Sequence, residues 1–272
     1  MDTYNKLERL TRKRVFYLLL ILIPASLPPI AATGFGYLAE LPEFSLYLSA
    51  VLFDLKAVYA PYMPVLHLVV VFLLLALFIF RRRFGRLFAL LVGLNLVLTA
   101  VIQATAVTER YGLVILTQVF LWYAIVFSLW FWEAWIGKTD FSFKGSLRPW
   151  WLIPLAIYAF WDPDQAWNFD LSFFVYGFAP TAFCMMNPIY LTVLLFNYPN
   201  VNLPLVRVHS FIGLVVGVIS LAISFIQEPS AGIYWAILHS PLIITAFYGF
   251  RLGLKATPET GARPVPVAGE IA

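Results

Sequence analysis

Ionisable side chains are scarce in this chain. Its 18 Lys and Arg and 14 Asp and Glu make up 12% of 272 residues, and nearly all fall in gaps between long apolar runs. That scarcity excludes a water-soluble domain, in which about a quarter of the residues are charged. A single cysteine, Cys184, excludes an intramolecular disulfide. No Walker motif or Gly-rich phosphate loop is present, which argues against direct nucleotide hydrolysis. The absence of H-E-x-x-H and G-x-S-x-G argues against zinc and serine hydrolases of known pattern. The last apolar run has no lysine at mid-depth for a retinal Schiff base, and no regular arginine repeat suggests a voltage sensor.

What is present is apolar. Hydrophobic residues make up 62% of the chain, and the mean hydropathy is +0.85. Several stretches approach or exceed the ~18–20 apolar residues that cross a bilayer as a helix. The expected fold is an all-α polytopic integral membrane bundle of roughly eight transmembrane helices. The expected spans are 15–37, 63–80, 87–107, 113–136, 149–161, 173–196, 208–226 and 233–250. The pI near 9.1 signals no nucleic acid, because the cations sit beside apolar runs, where they set topology and meet anionic headgroups.

Cation placement sets the expected orientation, N-in and C-in. One side collects Lys6, Arg9, Arg12, Lys13, Arg14, Arg81, Arg82, Arg83, Arg86, Lys138, Lys144, Arg148, Arg207, Arg251 and Lys255. The other receives only Lys56 and Arg110. Span 149–161 is short and contains Pro154, yet a re-entrant turn there would put Arg207, Arg251 and Lys255 outside. A short crossing anchored by Trp150, Trp151 and Trp161 is therefore expected.

Residues 1–255 read as one transmembrane domain, with 38–62 as an outer interfacial segment or, alternatively, a lid. Residues 256–272 read as a disordered cytoplasmic tail rich in Pro and Gly. The basic N-terminal prefix and long apolar run, without an A-x-A-like cleavage site, read as a retained signal anchor. Tyr62 to His67 and Tyr234 to His239 share Tyr-x-x-x-Leu-His, too little to indicate duplication.

Few residues are candidates for chemistry. Asn95, Thr99 and Gln103 recur every four residues and form one stripe on a helix, with Gln118 at the depth of Gln103. Amides in lipid serve either as interhelical glue or as the polar wall of a pathway. Pro24, Pro28 and Pro29 interrupt the first span; Pro180 and Pro188 flank Thr181, Cys184 and Asn187 in the sixth. Such prolines kink a helix or break it, and a broken helix offers backbone groups to a solute.

Two of the three histidines, His67 and His239, lie at similar depth near the outer ends of spans two and eight. They are weak candidates for a haem, a metal or a proton relay; no cofactor is otherwise expected. His209 opens span seven on the other side. Glu133, the one carboxylate inside a confident span, is expected to reach the interface or pair with Lys138 or Arg86, with proton coupling as the alternative role. Gly213 and Gly217 allow close helix packing. Asp162, Asp164 and Asp170 lie in an outer loop read as a solvated turn.

The expected function is a permease or carrier for a small solute or lipid-like molecule, in the plasma membrane. Asn95, Thr99, Gln103, Gln118, Thr181, Cys184 and Asn187 would line its path. Two alternatives come from other classes: a redox or quinone-reactive subunit using His67 and His239, and a structural or assembly subunit. Expected partners are the lipid bilayer, the solute and a homo-oligomer or membrane-complex neighbour.

Overall fold

The structure, a computed structural model, describes residues 2–31, 58–108, 112–145, 149–162, 170–227 and 232–256. Its described elements in chain order are α1 (Asp2–Leu10), α2 (Arg14–Ala25), β1 (Ile30–Ala31), α3 (Met63–Phe80), α4 (Arg82–Ala104), β2 (Thr105–Thr108) and β3 (Gly112–Ile115). They continue with α5 (Thr117–Ile136), α6 (Leu152–Trp161), α7 (Phe173–Tyr176), α8 (Phe183–Phe196), α9 (Leu203–Gln227) and α10 (Gly232–Lys255). Most of the segment 38–62 and of the acidic outer loop, and the tail after Ala256, lie outside the described residues. The end of 38–62 is a 3-10 turn, Ala60–Tyr62, leading into α3.

Among the described residues, five helices are long and apolar enough to cross a membrane: 60–80, α4, α5, 203–226 and α10. A sixth arises if α7 and α8, bent by 88° at a break before Phe183, count as one span. Apolar patterning explains their placement. On α3, Met63, His67, Val70, Leu73, Ala76 and Leu77 recur every three to four residues and are buried. The rest of the same helix turns Val65, Leu68, Phe72, Leu75 and Ile79 outward. In water that surface would be unstable; in lipid it needs no cover.

α8 stands at the centre. Every one of its residues except Cys184 is buried, so it is apolar all round and packed on every side. Phe88 of α4, Trp130 of α5, Tyr190 of α8 and Phe141 meet edge to face around it, at centroid distances of 5.5–6.4 Å.

Of the eight expected spans, five coincide with crossing-length helices among the described residues, and several differ in extent. The first does not run to residue 37: Pro24 lies in the last turn of α2, Pro28 and Pro29 follow, and Ile30–Ala31 is a strand. Spans three and four do not reach 107 and 113 as helices. There the β-branched runs Thr105–Thr108 and Gly112–Ile115 pair antiparallel, with Ala106 opposite Val114, and β1 pairs with β3 on the far edge. Gly112 takes a φ of +65°, which suits glycine. Ala106 and Val114 are buried while Val107 and Leu113 are exposed, the alternation of a half-buried sheet. The described fold is thus helical with a small three-stranded sheet. Span 149–161 contains α6, ten residues long, or about 15 Å of helix.

The sheet marks one end of the bundle. The opposite, basal end holds α1, the turn at Arg81, the segment 137–145, the turn 197–202 and the end of α10. Here Glu133 is buried and organises two turns: its Oε1 accepts from the Thr139 backbone N–H (2.7 Å) and its Oε2 from the Asn202 amide (2.8 Å). Lys138 lies 5.1 Å over the Tyr4 ring of α1, which stacks on Trp132. The carboxylate therefore joins two turns of the chain.

Candidate functional site

The break between α7 and α8 exposes backbone groups that a continuous helix would satisfy itself. Residues of α4 supply the missing partners. Gln103 Oε1 accepts from the backbone N–H of Phe183, the first residue of α8 (2.9 Å), and from the Tyr123 hydroxyl (3.2 Å). Asn95 donates its amide to the Pro180 carbonyl (2.8 Å) and accepts from the Tyr190 hydroxyl (2.8 Å). Two members of the stripe thus brace the two arms of the broken segment. Thr99 donates to its own helix at Asn95 O (2.9 Å). Thr181 donates to Phe178 O (3.1 Å), closing the 3-10 turn Ala179–Thr181. Cys184 lies 4.0 Å from the Ser220 hydroxyl of α9. Gln118 is half-buried in the first turn of α5.

Asn187 differs from all of these. One turn below the start of α8 it is completely buried, and neither its Oδ1 nor its Nδ2 has a hydrogen-bond partner. Its amide lies against Gly213 of α9, where a Cβ would come within 2.7 Å of Nδ2. Gly213 is therefore the residue that makes room for this amide. One turn before Gly213 on the same face of α9 is His209, also fully buried, with its Nε2 unpartnered. The His209 ring lies 6.1 Å from Phe183, which is itself one turn before Asn187 on α8. Free polar atoms of Asn187 and His209 thus share the α8–α9 seam behind the helix break.

The tautomer of His209 follows from its one bond. Trp130 Nε1–H can only donate, and it points at His209 Nδ1 at 3.3 Å. Nδ1 therefore carries no proton, and Nε2 holds the ring's single hydrogen as a donor. The seam offers one imidazole N–H, one amide N–H2 and one amide carbonyl, with no formal charge. Leaving such atoms bare in a packed interior costs about 1–3 kcal/mol each. A buried site that tolerates that cost is suited to a ligand that satisfies them.

His67 and His239 are not joined by any described contact. Each ring Nδ1 bonds the carbonyl four residues earlier, Met63 O at 2.9 Å and Trp235 O at 2.8 Å. His67 packs on Phe160 and His239 on Trp235. Among the described residues no group of three or more His, Cys, Asp or Glu converges as a metal site.

His209 and Arg207 differ from expectation in burial and helix position. The helix starts at Leu203, with Pro204 in its first turn where a missing N–H is harmless, so Arg207 keeps its place at the basal end and His209 lies in the second turn. The signal was Leu-Pro-Leu at 203–205, an apolar helix start preceding the span by five residues. Arg207 is fully buried and meets no headgroup; it donates to Gly253 O (2.7 Å), Thr11 Oγ1 (3.2 Å) and Glu8 Oε1 (3.3 Å).

Five apolar helices of membrane-crossing length, with large hydrophobic side chains turned outward, define the chain as an integral membrane protein. Beyond that class, no known protein family, curated protein or solved structure matches it.

Proposed function

We propose that this is a multi-pass cell-membrane carrier for a small, uncharged, hydrogen-bonding solute, with the basal end in the cytoplasm. The cations of 81–86, 138–144 and 251–255 support that orientation, since Lys and Arg are retained on the cytoplasmic side. The observation that carries the function is the buried, unpartnered amide of Asn187 beside a broken helix. Broken membrane helices place substrate sites at the break. With His209 held neutral through Trp130, the seam favours a solute with a hydroxyl, carbonyl or amide over an ion. Asn95 and Gln103 hold the two arms of the break in register, and Asn187 and His209 contact the solute.

Proteoliposomes containing the full chain test this directly. They are shocked with hyperosmotic urea, glycerol or a hexose, and reswelling is followed by light scattering. At least one solute is expected to enter faster than into empty liposomes. Asn187→Leu is expected to reduce that flux at least roughly tenfold, the cost of losing about 1.4 kcal/mol of solute contact. Its stability should hold or rise, because leucine removes a buried amide that bonds nothing. Folded protein that passes none of these solutes, or an Asn187→Leu variant with undiminished flux, sinks the proposal.

A further inference from the structure

At the basal end, the turn from α3 to α4 opens a cleft of about 380 Å³. Ile79 and Phe80 close one side, Arg81, Arg82 and Arg83 form the turn, and Ser142 and Lys144 come from the segment after α5. That segment is braced: Phe141 packs on Phe88, and Phe143 packs on Phe78 of α3. The cleft is therefore a shaped feature between packed elements.

Its charge is strongly positive. Arg82 bonds both carboxylate oxygens of Asp140, so that cation is neutralised. The Arg82 bond also holds the Asp140 carboxyl below its usual range, so the pair stays ionic. No carboxylate among the described residues pairs with Arg81, Arg83 or Lys144, all of which are exposed. The amino terminus of α4 adds the positive end of its dipole, with no side-chain cap on it.

Two further features point to a ligand. Arg81 has φ 51° and ψ −125°, a conformation that favours glycine, yet the position carries an arginine that lines the cleft. Directly beside the cations, Ile79 and Phe80 are 67% and 57% exposed and continue the outward apolar face of α3. An occupant that satisfies both surfaces joins an anionic group to hydrocarbon. We propose that this cleft binds the phosphate of an anionic phospholipid, held by Arg81, Arg83 and Lys144, with its acyl chains along Ile79 and Phe80.

The test uses the full chain in non-ionic detergent, offered equal amounts of phosphatidylglycerol and phosphatidylcholine, with retained lipid read by native mass spectrometry. Wild type is expected to retain phosphatidylglycerol over phosphatidylcholine by roughly tenfold or more, and Arg83→Gln with Lys144→Gln to bring the ratio close to one. Arg81→Gly guards against misfolding: glycine relaxes the backbone, so its melting temperature should hold or rise while the lipid preference falls. Equal retention of the two lipids by wild type overturns the proposal, as does full preference in the folded variants. Displacement of phosphatidylglycerol by millimolar inorganic phosphate, without competition from added lipid, overturns the lipid assignment in favour of a soluble phosphate.

Discussion

Glu8→Ala is expected to destabilise the protein by about 3–5 kcal/mol, the range for removing one member of a buried ion pair. The reason lies with Arg207, which has no exposed surface. Glu8 Oε1 is its described counter-charge, and the same oxygen accepts from Arg12 Nε at 2.9 Å and Nη2 at 2.7 Å. The remaining partners of the two arginines are neutral: Thr11 Oγ1 and the carbonyls of Glu8, Gly253 and Ala256. Gly253 lies in the last turn of α10 and Ala256 just beyond it, so both cations sit at a helix C-terminus, where positive charge is favoured. Without the carboxylate, Arg207 stays buried with dipoles alone, and α1 loses its charged tie to α9 while keeping the Glu8 carbonyl bond.

Unfolding in detergent measures the loss, and limited proteolysis reports whether α1 separates. Glu8→Gln keeps a neutral acceptor and should lose less. Glu8→Ala combined with Arg207→Met should recover most of the stability, because no uncompensated charge remains. A Glu8→Ala protein within about 0.5 kcal/mol of wild type would mean that the node holds nothing together. The pH dependence has a definite sign. Burial opposes the Glu8 charge, but the bonds from Arg12 and then Arg207 outweigh it and lower its pKa below 4.5. Its contribution is therefore complete above pH 4.5 and fades as pH falls through the lower folded value. Wild type should converge on Glu8→Ala in acid.

The second large effect contrasts two amides only a helix turn apart in depth. Gln103→Leu removes the acceptor for both Phe183 N–H and Tyr123 O–H, two buried donors, and is expected to cost roughly 2–5 kcal/mol. The break before Phe183 would lose its brace, so solute flux should fall together with stability. Asn187→Leu should cut flux by about tenfold or more and leave stability unharmed. Unfolding curves set beside flux for both variants make the comparison. Unchanged stability with lost flux in Gln103→Leu would move that residue from the frame into the path.

The frame of the site was legible before folding. Four-residue spacing placed Asn95, Thr99 and Gln103 on one face, and the prolines around 180–188 marked a segment unable to continue as one helix. The structure has the break at 182, where Pro180 opens a 3-10 turn. Spacing did not reveal what the stripe faces. Asn95 and Gln103 brace the break because α4 and α8 come together in three dimensions, and no local pattern encodes that encounter. Nor did spacing distinguish Asn187, whose neighbours are apolar in sequence; its unpartnered state depends on Gly213, 26 positions later.

The ends of the helices were least legible. Thr105–Thr108 and Gly112–Ile115 carry no charge and continue directly from apolar runs, and hydropathy alone does not separate strand from helix over four residues. Arg207 and His209 looked like polar flanks because charge is normally kept at the interface. Glu8, 199 positions away in sequence, provides the counter-charge that lets Arg207 lie inside. The amino-acid sequence by itself determined that this chain belongs in lipid and where its longest apolar stretches lie, because transfer of side chains from water depends on composition along a continuous stretch. Only the tertiary structure decided which polar groups are satisfied and which stay free, because a hydrogen bond or a buried ion pair exists only between atoms that the fold brings within about 3 Å.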